Sequence, residues 1–528
     1  MRIDSRTLPS NTTIETDVCI VGGGAAGITL ALELAQQPFR VVLLESGGLE
    51  PDPETQALCQ GTSTGHPYAP LDQVRLRYFG GTTNHWSGWC RPFEPIDFEA
   101  REGIPHTGWP IQYAEIQPFY RRALRQLRLQ DEWAPEFWAD AEHPVLPLAS
   151  SRVLTRVVQQ VRHDGERVRF GRVYGDRVNQ APNIQVYLHA NVTQFKTNPE
   201  GTKVTGVQVG CLSGARFSVV AKYFILATGG IENPRLLLLS NDRHRRGLGN
   251  EHDLVGRFFQ DRPGVVAGIL QPSDPRLPLR FYQFHLAKQS TMFGSLVLSQ
   301  DVRRREKLTN VNLDLLTVYG APYARAAESK GLLSMRRLLQ GLRGGTLPDD
   351  LGQHVRNVAS NLDDIAVGAY ARLRYGHDYP VDHVRLVAGL DPAPNPDSRI
   401  TLGTERDQLG LRRVQLDWRL SAPDRRSLHR TMEIVGIELA RAGLGRVQLR
   451  IHDSWPQEVG WVCHHVGTTR MSDHPTQGVV DRNCRVHGIH NLFVAGSSVF
   501  PTNGSGSPTL MIVALAIRLA DHIKLRLL

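Results

Sequence analysis

The stretch Asp17–Ser46 reads DVCIVGGGAAGITLALELAQQPFRVVLLES, and it decides the fold of this chain. The apolar, β-branched run Asp17–Val21 predicts a buried strand, and Val41–Leu44 predicts a second one. Between them, Ile28–Leu34 continues the pattern as a helix. Strand, helix and strand in this order predict a βαβ unit with parallel strands.

The glycines of this stretch have the spacing of a dinucleotide-binding turn. Gly22, Gly24 and Gly27 form the pattern GxGxxG. In such a turn one glycine makes the tight bend, another lets the backbone approach a pyrophosphate, and the third lets the helix pack on the strand. Glu45 follows Gly27 by 18 residues, where an acid accepts from a ribose hydroxyl and repels a 2′-phosphate. The motif predicts NAD or FAD rather than NADP, and a plain βαβ unit with a glycine-rich turn is the alternative.

Composition and charge exclude several classes of protein. The 528 residues are enough for two or more domains with large cores. The net charge of +9 is spread along an Arg-rich chain, and the basic clusters Arg243–Arg246 and Arg303–Lys307 have no interleaved aromatic residues, so we expect no nucleic-acid partner. No run of about 18 apolar residues occurs, so we expect no transmembrane segment.

The six cysteines indicate neither a metal site nor a disulfide framework. None of them stands in a CxxC pair or has a spacing that suits zinc or an iron–sulfur cluster. The first residues, MRIDSRTLPSNTT, contain no apolar signal core and no twin-Arg pair. The sequence therefore predicts a protein of a reducing compartment, the cytoplasm, without a bound metal.

A second informative stretch lies near the other end of the chain, from His464 to Met511. It begins HHVGTTRM and continues, after an acidic loop, as NLFVAGSSVFPTNGSGSPTLM. Asn491–Ala495 predicts a strand that ends at a glycine, and the pair Ser507–Pro508 predicts the start of a helix. An acid/base candidate, a strand end and a helix N-terminus come together here, as a redox cofactor site requires.

The rest of the chain indicates two interleaved domains rather than two tandem ones. A buried strand is predicted at Tyr223–Ala227, followed by a helix at Asn233–Leu239. The block from about residue 266 to 454 mixes strands, helices and turns in the manner of a cap. We predict a cofactor domain from residues 1–95, 181–265 and 455–528, and a substrate domain from residues 96–180 and 266–454.

Motifs along nearly the whole chain resemble the glucose-methanol-choline (GMC) family of FAD-dependent oxidoreductases. The matching segments are VGGGAAG with LLESG, FGGTTNHWSG at 79–88, YFILATGGIENPRLLLLS at 223–240, DLVGRFFQD at 253–261, PNPDSRITL at 394–402, and the stretch that begins with HHVGTTRM. The motifs resemble most closely the bacterial sugar- and polyol-oxidising members. The resemblance implies FAD rather than NAD. It also implies an α/β fold, with a Rossmann-like FAD domain built from discontinuous segments and an α+β substrate domain containing an antiparallel sheet.

The resemblance also implies a reaction and its residues. Family members oxidise an alcohol to a carbonyl: a base takes the hydroxyl proton while hydride passes to flavin N5. His464 falls at the position of the family's catalytic histidine. His465 is expected to support it, since neighbouring side chains of an extended segment point to opposite faces. The family's second catalytic position, usually Asn or His, is Ser507 here, and Asn503 is a candidate to take over part of its role.

The FAD contacts that the resemblance implies lie at turns, strand ends and helix starts. They are Gly22, Gly24, Ala26, Gly27, Glu45, Ser46, Gly80, Gly81, Asn84, His85, Val192, Ala227, Gly229, Gly496, Ser497, Pro508 and Thr509. In some family members a histidine at the position of His85 carries the flavin covalently, and other members with His-Trp here hold FAD without a bond. Both possibilities stay open.

The expected partners are a small-molecule alcohol and an electron acceptor, which is oxygen, a quinone or a redox protein. Two alternatives belong to other functional classes. A few GMC proteins are lyases that keep FAD as a structural element. A non-catalytic FAD-binding protein is the other alternative, because Ser507 departs from the family pattern.

Overall fold

A computed structural model describes residues 1–148, 150–163, 165–321, 323–344, 350–375, 379–451, 460 and 463–527. Its strands are β1 Arg2–Asp4, β2 Thr12–Val21, β3 Val41–Leu44, β4 Gly61–Gly65, β5 Trp89–Cys90, β6 Val153–Gln160, β7 Arg162–His163, β8 Glu166–Arg167, β9 Ile184–Leu188, β10 Asn191–Thr197, β11 Val204–Gly210, β12 Arg216–Leu226, β13 Gly264–Pro272, β14 His285–Ala287, β15 Ser290–Leu298, β16 Val311–Tyr319, β17 Val381–Leu390, β18 Arg399–Arg406, β19 Arg412–Trp418, β20 Gly445–Leu449 and β21 Leu492–Val494. Its helices are α1 Ala25–Glu33, α2 Pro53–Ala57, α3 Tyr113–Leu127, α4 Pro135–Trp138, α5 Phe170–Gln180, α6 Gly229–Leu239, α7 Gln300–Glu306, α8 Tyr323–Ala327, α9 Lys330–Gly344, α10 Leu351–Ala359, α11 Leu362–Tyr375, α12 Ala422–Arg441 and α13 Pro508–Leu527.

The first sheet contains the predicted βαβ unit. Its order is β1-β9-β3-β2-β12-β11-β10, with β21 paired to β12. Strands β9, β3, β2 and β12 run parallel, and β12 also pairs in parallel with β21. The predicted strand Asp17–Val21 extends back to Thr12, and Val41–Leu44 has its predicted bounds. Val18, Ile20 and Leu43 have no exposed surface, as expected for a sheet that is covered on both faces.

The second sheet is antiparallel, and helix α12 packs against one of its two faces. Its order is β20-β13-β17-β16-β15-β6-β5, with β14 paired to β15. Helix α12 contacts β6, β13, β16, β17 and β20. Along β16 the side chains of Val311, Leu313 and Leu315 are buried in that core, whereas Asn312 and Asp314 alternate with them on the opposite face. The opposite face of this sheet is therefore available to a ligand.

These two sheets confirm the predicted fold class: a Rossmann-like parallel sheet built from distant segments, together with an antiparallel sheet. The exact domain boundaries stay a prediction, and residue 455, where the third segment was placed, lies outside the described residues. Among the helices that the structure describes, none combines the length and apolarity needed to cross a bilayer.

Candidate functional site

A cavity of about 650 Å³ joins the two sheets. One wall consists of the turns that follow strands of the first sheet, at Gly22–Ala26, Ala227–Gly230 and Gly496–Ser497. The other wall comes from the free face of the second sheet and includes Phe293, Asn312, Asp314 and Val387. The site thus lies where the carboxyl ends of parallel strands meet a second layer, which is the usual ligand position in an open α/β sheet.

The first glycine turn has the geometry that its motif predicts. Gly22 has φ +107°, and a Cβ there would lie 2.6 Å from the Ala227 carbonyl oxygen. A Cβ on Gly27 would overlap the Gly22 carbonyl oxygen, so helix α1 packs on its strand only with glycine at this position. A Cβ on Gly24 would have no atom within 4 Å. Gly24 therefore borders open space inside the cavity, where a pyrophosphate needs to approach the backbone.

Three helices begin at the cavity. Helix α1 starts after Gly24, helix α6 starts at Gly229, and helix α13 starts at Pro508, and these residues all line the cavity. The first N–H groups of a helix have no partner within the helix, and its N-terminus carries partial positive charge. Three such ends favour an anionic ligand such as the pyrophosphate of FAD.

Glu45 braces the glycine turn. Its carboxylate accepts from the Gly23 N–H at 2.8 Å and from the Gly47 N–H at 2.9 Å, and its side chain is buried at the cavity wall. These bonds hold the turn against the end of β3. The contact to a ribose hydroxyl stays a prediction, and a carboxylate has enough lone pairs to accept it as well.

Most predicted cofactor residues do line the cavity. They are Gly22, Gly24, Ala26, Glu45, Ser46, Gly81, His85, Val192, Ala227, Gly229, Gly496, Ser497, Pro508 and Thr509. Open space beside Gly24, Gly229 and Gly496, where an added Cβ would touch nothing within 4 Å, forms a cradle for a ligand. The residues present therefore fit FAD.

Four predicted residues do not line the cavity. Gly27 serves packing, as described above. Gly80 has φ +101°, and a Cβ there would lie 2.6 Å from Asn84 Oδ1, so Gly80 is a turn residue. Asn84 Nδ2 donates to the Phe79 carbonyl at 3.0 Å and closes that turn. Asn503 is buried, and neither polar atom of its amide has a partner among the described residues.

The two adjacent histidines both border the cavity. His464 and His465 line it together, although the extended-segment argument predicts that only one faces it. No described residue forms a hydrogen bond with either ring, and His464 Nδ1 and His465 Nε2 are buried. Burial lowers the pKa of each imidazole to about 4. Both rings are therefore neutral at pH 7.

His465 differs from His464 in its packing. Its ring stacks on Phe259 at a centroid distance of 5.7 Å and lies 6.3 Å from Tyr68. Its carbonyl oxygen accepts from Ser497 Oγ at 2.6 Å. His465 is thus held on three sides, whereas the hydrogen bond that holds His464 among the described residues is made by its main-chain N–H.

Asp261 fixes the His464 main chain and was not predicted as a site residue. Its Oδ1 accepts from the main-chain N–H of His464 at 2.7 Å and from that of Arg262 at 2.6 Å, and its Oδ2 accepts from the Tyr68 hydroxyl at 2.6 Å. The side chain is fully buried. The motif DLVGRFFQD ends in this residue, but a motif alone does not show which element its carboxylate reaches.

Ser507 lines the cavity directly before helix α13, which begins at the predicted residue Pro508 and extends to Leu527. Ser507 thus stands at the position of an N-cap.

A buried ion network supports the cavity wall at the start of α6. Glu232 lies 2.9 Å from Arg77, 3.4 Å from Arg75 and 2.9 Å from Arg235. Burial alone would raise the pKa of Glu232, but these guanidinium groups outweigh it and hold that pKa well below its usual range. The sequence motif YFILATGGIENPRLLLLS contained Glu232 and Arg235 without indicating this role.

Two family models match parts of this chain. The model described as FAD dependent oxidoreductase matches residues 17–246, and the model described as GMC oxidoreductase matches residues 394–516. The fold, the cradle and the first match define an FAD-dependent oxidoreductase. The second match shows the GMC oxidoreductase pattern over residues 394–516, and the chain is similar along nearly its full length to enzymes that act on alcohol groups.

Individual relatives are distant in sequence but similar in length. The chain is 23% identical to 2-methyl-1,2-propanediol dehydrogenase of Mycolicibacterium austroafricanum, covering 97% of this chain and 96% of the relative. It is 23% identical to the fructose dehydrogenase large subunit of Gluconobacter japonicus, covering 97% and 98%. A similar crystal structure is that of pyridoxine 4-oxidase from Mesorbium loti, with a TM-score of 0.58 and 20% identity, covering 96% and 98%. That likeness supports the fold.

Proposed function

We propose that the protein oxidises the hydroxyl group of a small alcohol, a sugar, a polyol or a secondary metabolite, with His464 as the base. The observation that carries this proposal is the position of His464: it borders the cavity beside the FAD cradle with an imidazole that no described residue engages. FAD, when bound, supplies the hydride acceptor at N5. The names of the two relatives, a diol dehydrogenase and a fructose dehydrogenase, support this reaction class.

The electrostatics around His464 suit a proton acceptor. Its pKa of about 4 leaves the imidazole neutral at pH 7, so a lone pair is available for the hydroxyl proton. Burial opposes the charged form, and Asp261 favours it. When the proton arrives, the Asp261 carboxylate stabilises the imidazolium, while its bond to the His464 N–H keeps the ring in place.

The neighbouring residues have supporting roles in this proposal. His465 packs between Phe259, Tyr68 and Ser497 and holds the segment in position. Ser507 offers a hydroxyl that can bond a substrate oxygen, but it is a weaker base than histidine. Helix α13 directs its positive end at the cavity, which favours negative charge on the reduced cofactor ring. Asn503 is too deeply buried to act without rearrangement, and its role stays a prediction.

The test is a panel of alcohols and sugars with dichlorophenolindophenol as acceptor, run with and without oxygen. Bleaching of the flavin by an alcohol is the expected result. Turnover that needs the dye indicates a dehydrogenase with a quinone or redox-protein partner, and turnover with oxygen alone indicates an oxidase. Failure of every alcohol to bleach the flavin would favour the lyase or the non-catalytic alternative.

Two histidine variants test the assignment of the base. His464→Ala should slow flavin reduction by roughly 10²–10⁴-fold with FAD still bound. His465→Ala should cost less, and His252→Ala, at an exposed position outside the cavity, is the matched control. Losses that are equal or reversed between His464 and His465 would contradict the assignment.

The linkage of the flavin is a separate question. His85 lines the cavity and is exposed to it, so a covalent bond to FAD is sterically open. Acid precipitation decides between the two cases: a yellow pellet means a covalent bond, and a yellow supernatant over a colourless pellet means that FAD is free.

A further inference from the structure

The carboxylates that line the cavity differ in their partners. Glu45, Glu232 and Asp314 line it among the described residues. Glu45 accepts from two backbone N–H groups, and Glu232 pairs with arginines. Asp314 forms no hydrogen bond and no ion pair within the part of the chain that the structure describes. This carboxylate is thus available to a ligand.

Asp314 is enclosed by protein yet accessible from the cavity. It stands on β16 between the buried residues Leu313 and Leu315, so its side chain projects from the free face of the second sheet. The side chain keeps exposed surface, and this surface belongs to the cavity wall. Burial raises the pKa of Asp314 to about 6, and Arg262 opposes that rise.

The arginines that line the cavity already have acidic partners. Arg75 and Arg77 lie within 3.4 Å and 2.9 Å of Glu232. Arg91 lies 3.5 Å from Glu94, and Arg262 Nε lies 3.6 Å from Asp391 Oδ1. None of these four arginines forms an ion pair with Asp314, although Arg262 lowers its pKa through space. Among the described residues, the Asp314 carboxylate therefore has no directly bonded cation on the second-sheet wall.

Aromatic rings lie in the same region of the cavity. Trp89 and Phe293 line it, with ring centroids 4.8 Å apart in a T-shaped contact. Phe293 is on β15, the strand next to β16. Aromatic faces attract cations, because the ring quadrupole is negative there. Carboxylate and rings together suit an ammonium group better than a neutral hydroxyl.

We propose that Asp314 binds a positively charged nitrogen of the substrate, so that the alcohol is an amino alcohol or an amino sugar. This inference rests on the proposed alcohol oxidation and names its substrate class. His464 and Asp314 line the same cavity. In this proposal the reacting hydroxyl faces His464, and the ammonium group faces Asp314 on the second sheet.

A cation in this position gives the Asp314 carboxylate a direct partner. An ionised carboxylate without a partner in a partly apolar cavity is costly, and a charge-assisted hydrogen bond removes much of that cost. Such a bond changes affinity by roughly tenfold to hundredfold.

Two matched pairs of probes test this proposal on the holoprotein. Choline is paired with its neutral isostere 3,3-dimethyl-1-butanol, and glucosamine is paired with glucose. Calorimetric titration gives Kd for each probe, and flavin reduction gives KM and kcat where turnover occurs. The variants are Asp314→Asn and, as the matched control, Asp382→Asn, an exposed acid on β17 of the same sheet but outside the cavity.

We expect at least one cationic probe to bind tenfold or more tightly than its neutral partner in the unmodified protein and in Asp382→Asn. Asp314→Asn should remove that preference with an unchanged melting temperature and FAD content, and with a larger effect on KM than on kcat. Equal binding within both pairs, no binding of either cation, or a preference that survives in Asp314→Asn would overturn the proposal. The titration is independent of turnover, so a failure of alcohol oxidation is recognised separately by the unbleached flavin.

Discussion

The two walls of the cavity recognise their ligands by different means. The wall of the first sheet consists largely of glycines, strand ends and helix N-termini, so it presents backbone N–H groups and open space beside residues such as Gly24 and Gly496. The wall of the second sheet presents side chains from successive strands, such as Phe293, Asp314 and Val387. Backbone recognition suits a cofactor shared by many proteins, because any added side chain would obstruct it. Side-chain recognition suits a substrate that differs between relatives.

The largest expected effect is on the backbone wall. Gly24 has φ −85°, which any residue can adopt, so Gly24→Leu should fold but place its side chain where the pyrophosphate binds. We expect apoprotein without yellow colour. Gly352→Leu, in helix α10, also enters open space but lies outside the cavity, and it should keep its FAD. Normal flavin content in Gly24→Leu would contradict the assignment of this open space to the pyrophosphate of FAD.

The next effect concerns Asp261, which holds the main chain of His464. Asp261→Asn replaces one acceptor oxygen by an N–H₂ group, so the bonds from Tyr68, Arg262 and His464 cannot all form. We expect a loss of about 1–3 kcal/mol of stability and flavin reduction slowed by roughly tenfold or more, as the His464 ring loses its position.

Thermal melting and stopped-flow reduction measure these two quantities for Asp261→Asn. Tyr68→Phe, which removes the hydrogen bond from the Tyr68 hydroxyl to Asp261, should lose less stability and less of the reduction rate. A variant of Asp261 with unchanged melting and unchanged reduction would show that the His464 segment is held by other contacts.

The pH dependence gives a smaller but distinctive effect. The pKa values of about 4 lie below the usual range for histidine, so His464 is a free base from about pH 5 upward and becomes protonated as the pH falls through 4. We expect the titration of His464 to change kcat/KM by less than about twofold between pH 6 and 8. Near pH 4 we expect kcat/KM to fall.

The free energy of unfolding should also fall at low pH, because both histidines are buried in the neutral form. Above about pH 6.5 the two histidines do not reduce this free energy. As the pH falls from there toward 4 it decreases, since the unfolded chain binds the protons first. Melting temperatures from pH 4 to 8 measure it. An inflection of kcat/KM between pH 6 and 7 that disappears in His464→Ala would contradict the low pKa.

The smallest effect concerns Ser507 at the start of α13. Ser507→Ala should lose roughly 1 kcal/mol through the missing cap, and Ser507→Asn should keep it. Because Asn is usual at this position in the family, activity on simple alcohols should hold or rise. A large fall in activity of Ser507→Asn with an unchanged melting temperature would show instead that Ser507 contacts the substrate.

The sequence predicted the backbone wall far better than the side-chain wall. GxGxxG, the strand Val41–Leu44 and the Ser507–Pro508 pair carry local conformational preferences, so their positions follow from short-range steric rules. Gly80 and Asn84 belonged to an equally clear motif, yet they close a turn rather than border the cavity. A motif identifies a turn more reliably than the atoms that the turn presents.

Asp261 and Asp314 could not be predicted in the same way. The role of Asp261 depends on the main chain of His464, more than 200 residues later, and on Tyr68, from another segment. The role proposed for Asp314 depends on the register of β16 and on the ion pair between Arg262 and Asp391. Both depend on long-range packing, which periodicity alone does not reveal.

Strand β21 has a consequence for biosynthesis. It pairs with β12 of the first sheet, and helix α13 contacts α1 and α3. The segment that contains β21 and α13 therefore completes a layer whose strand β2 begins at Thr12, near the other end of the sequence. While the ribosome still holds that segment in its exit tunnel, the nascent chain lacks the histidines and the third helix N-terminus. We therefore expect flavin capture to follow the emergence of Pro508–Leu527 from the exit tunnel.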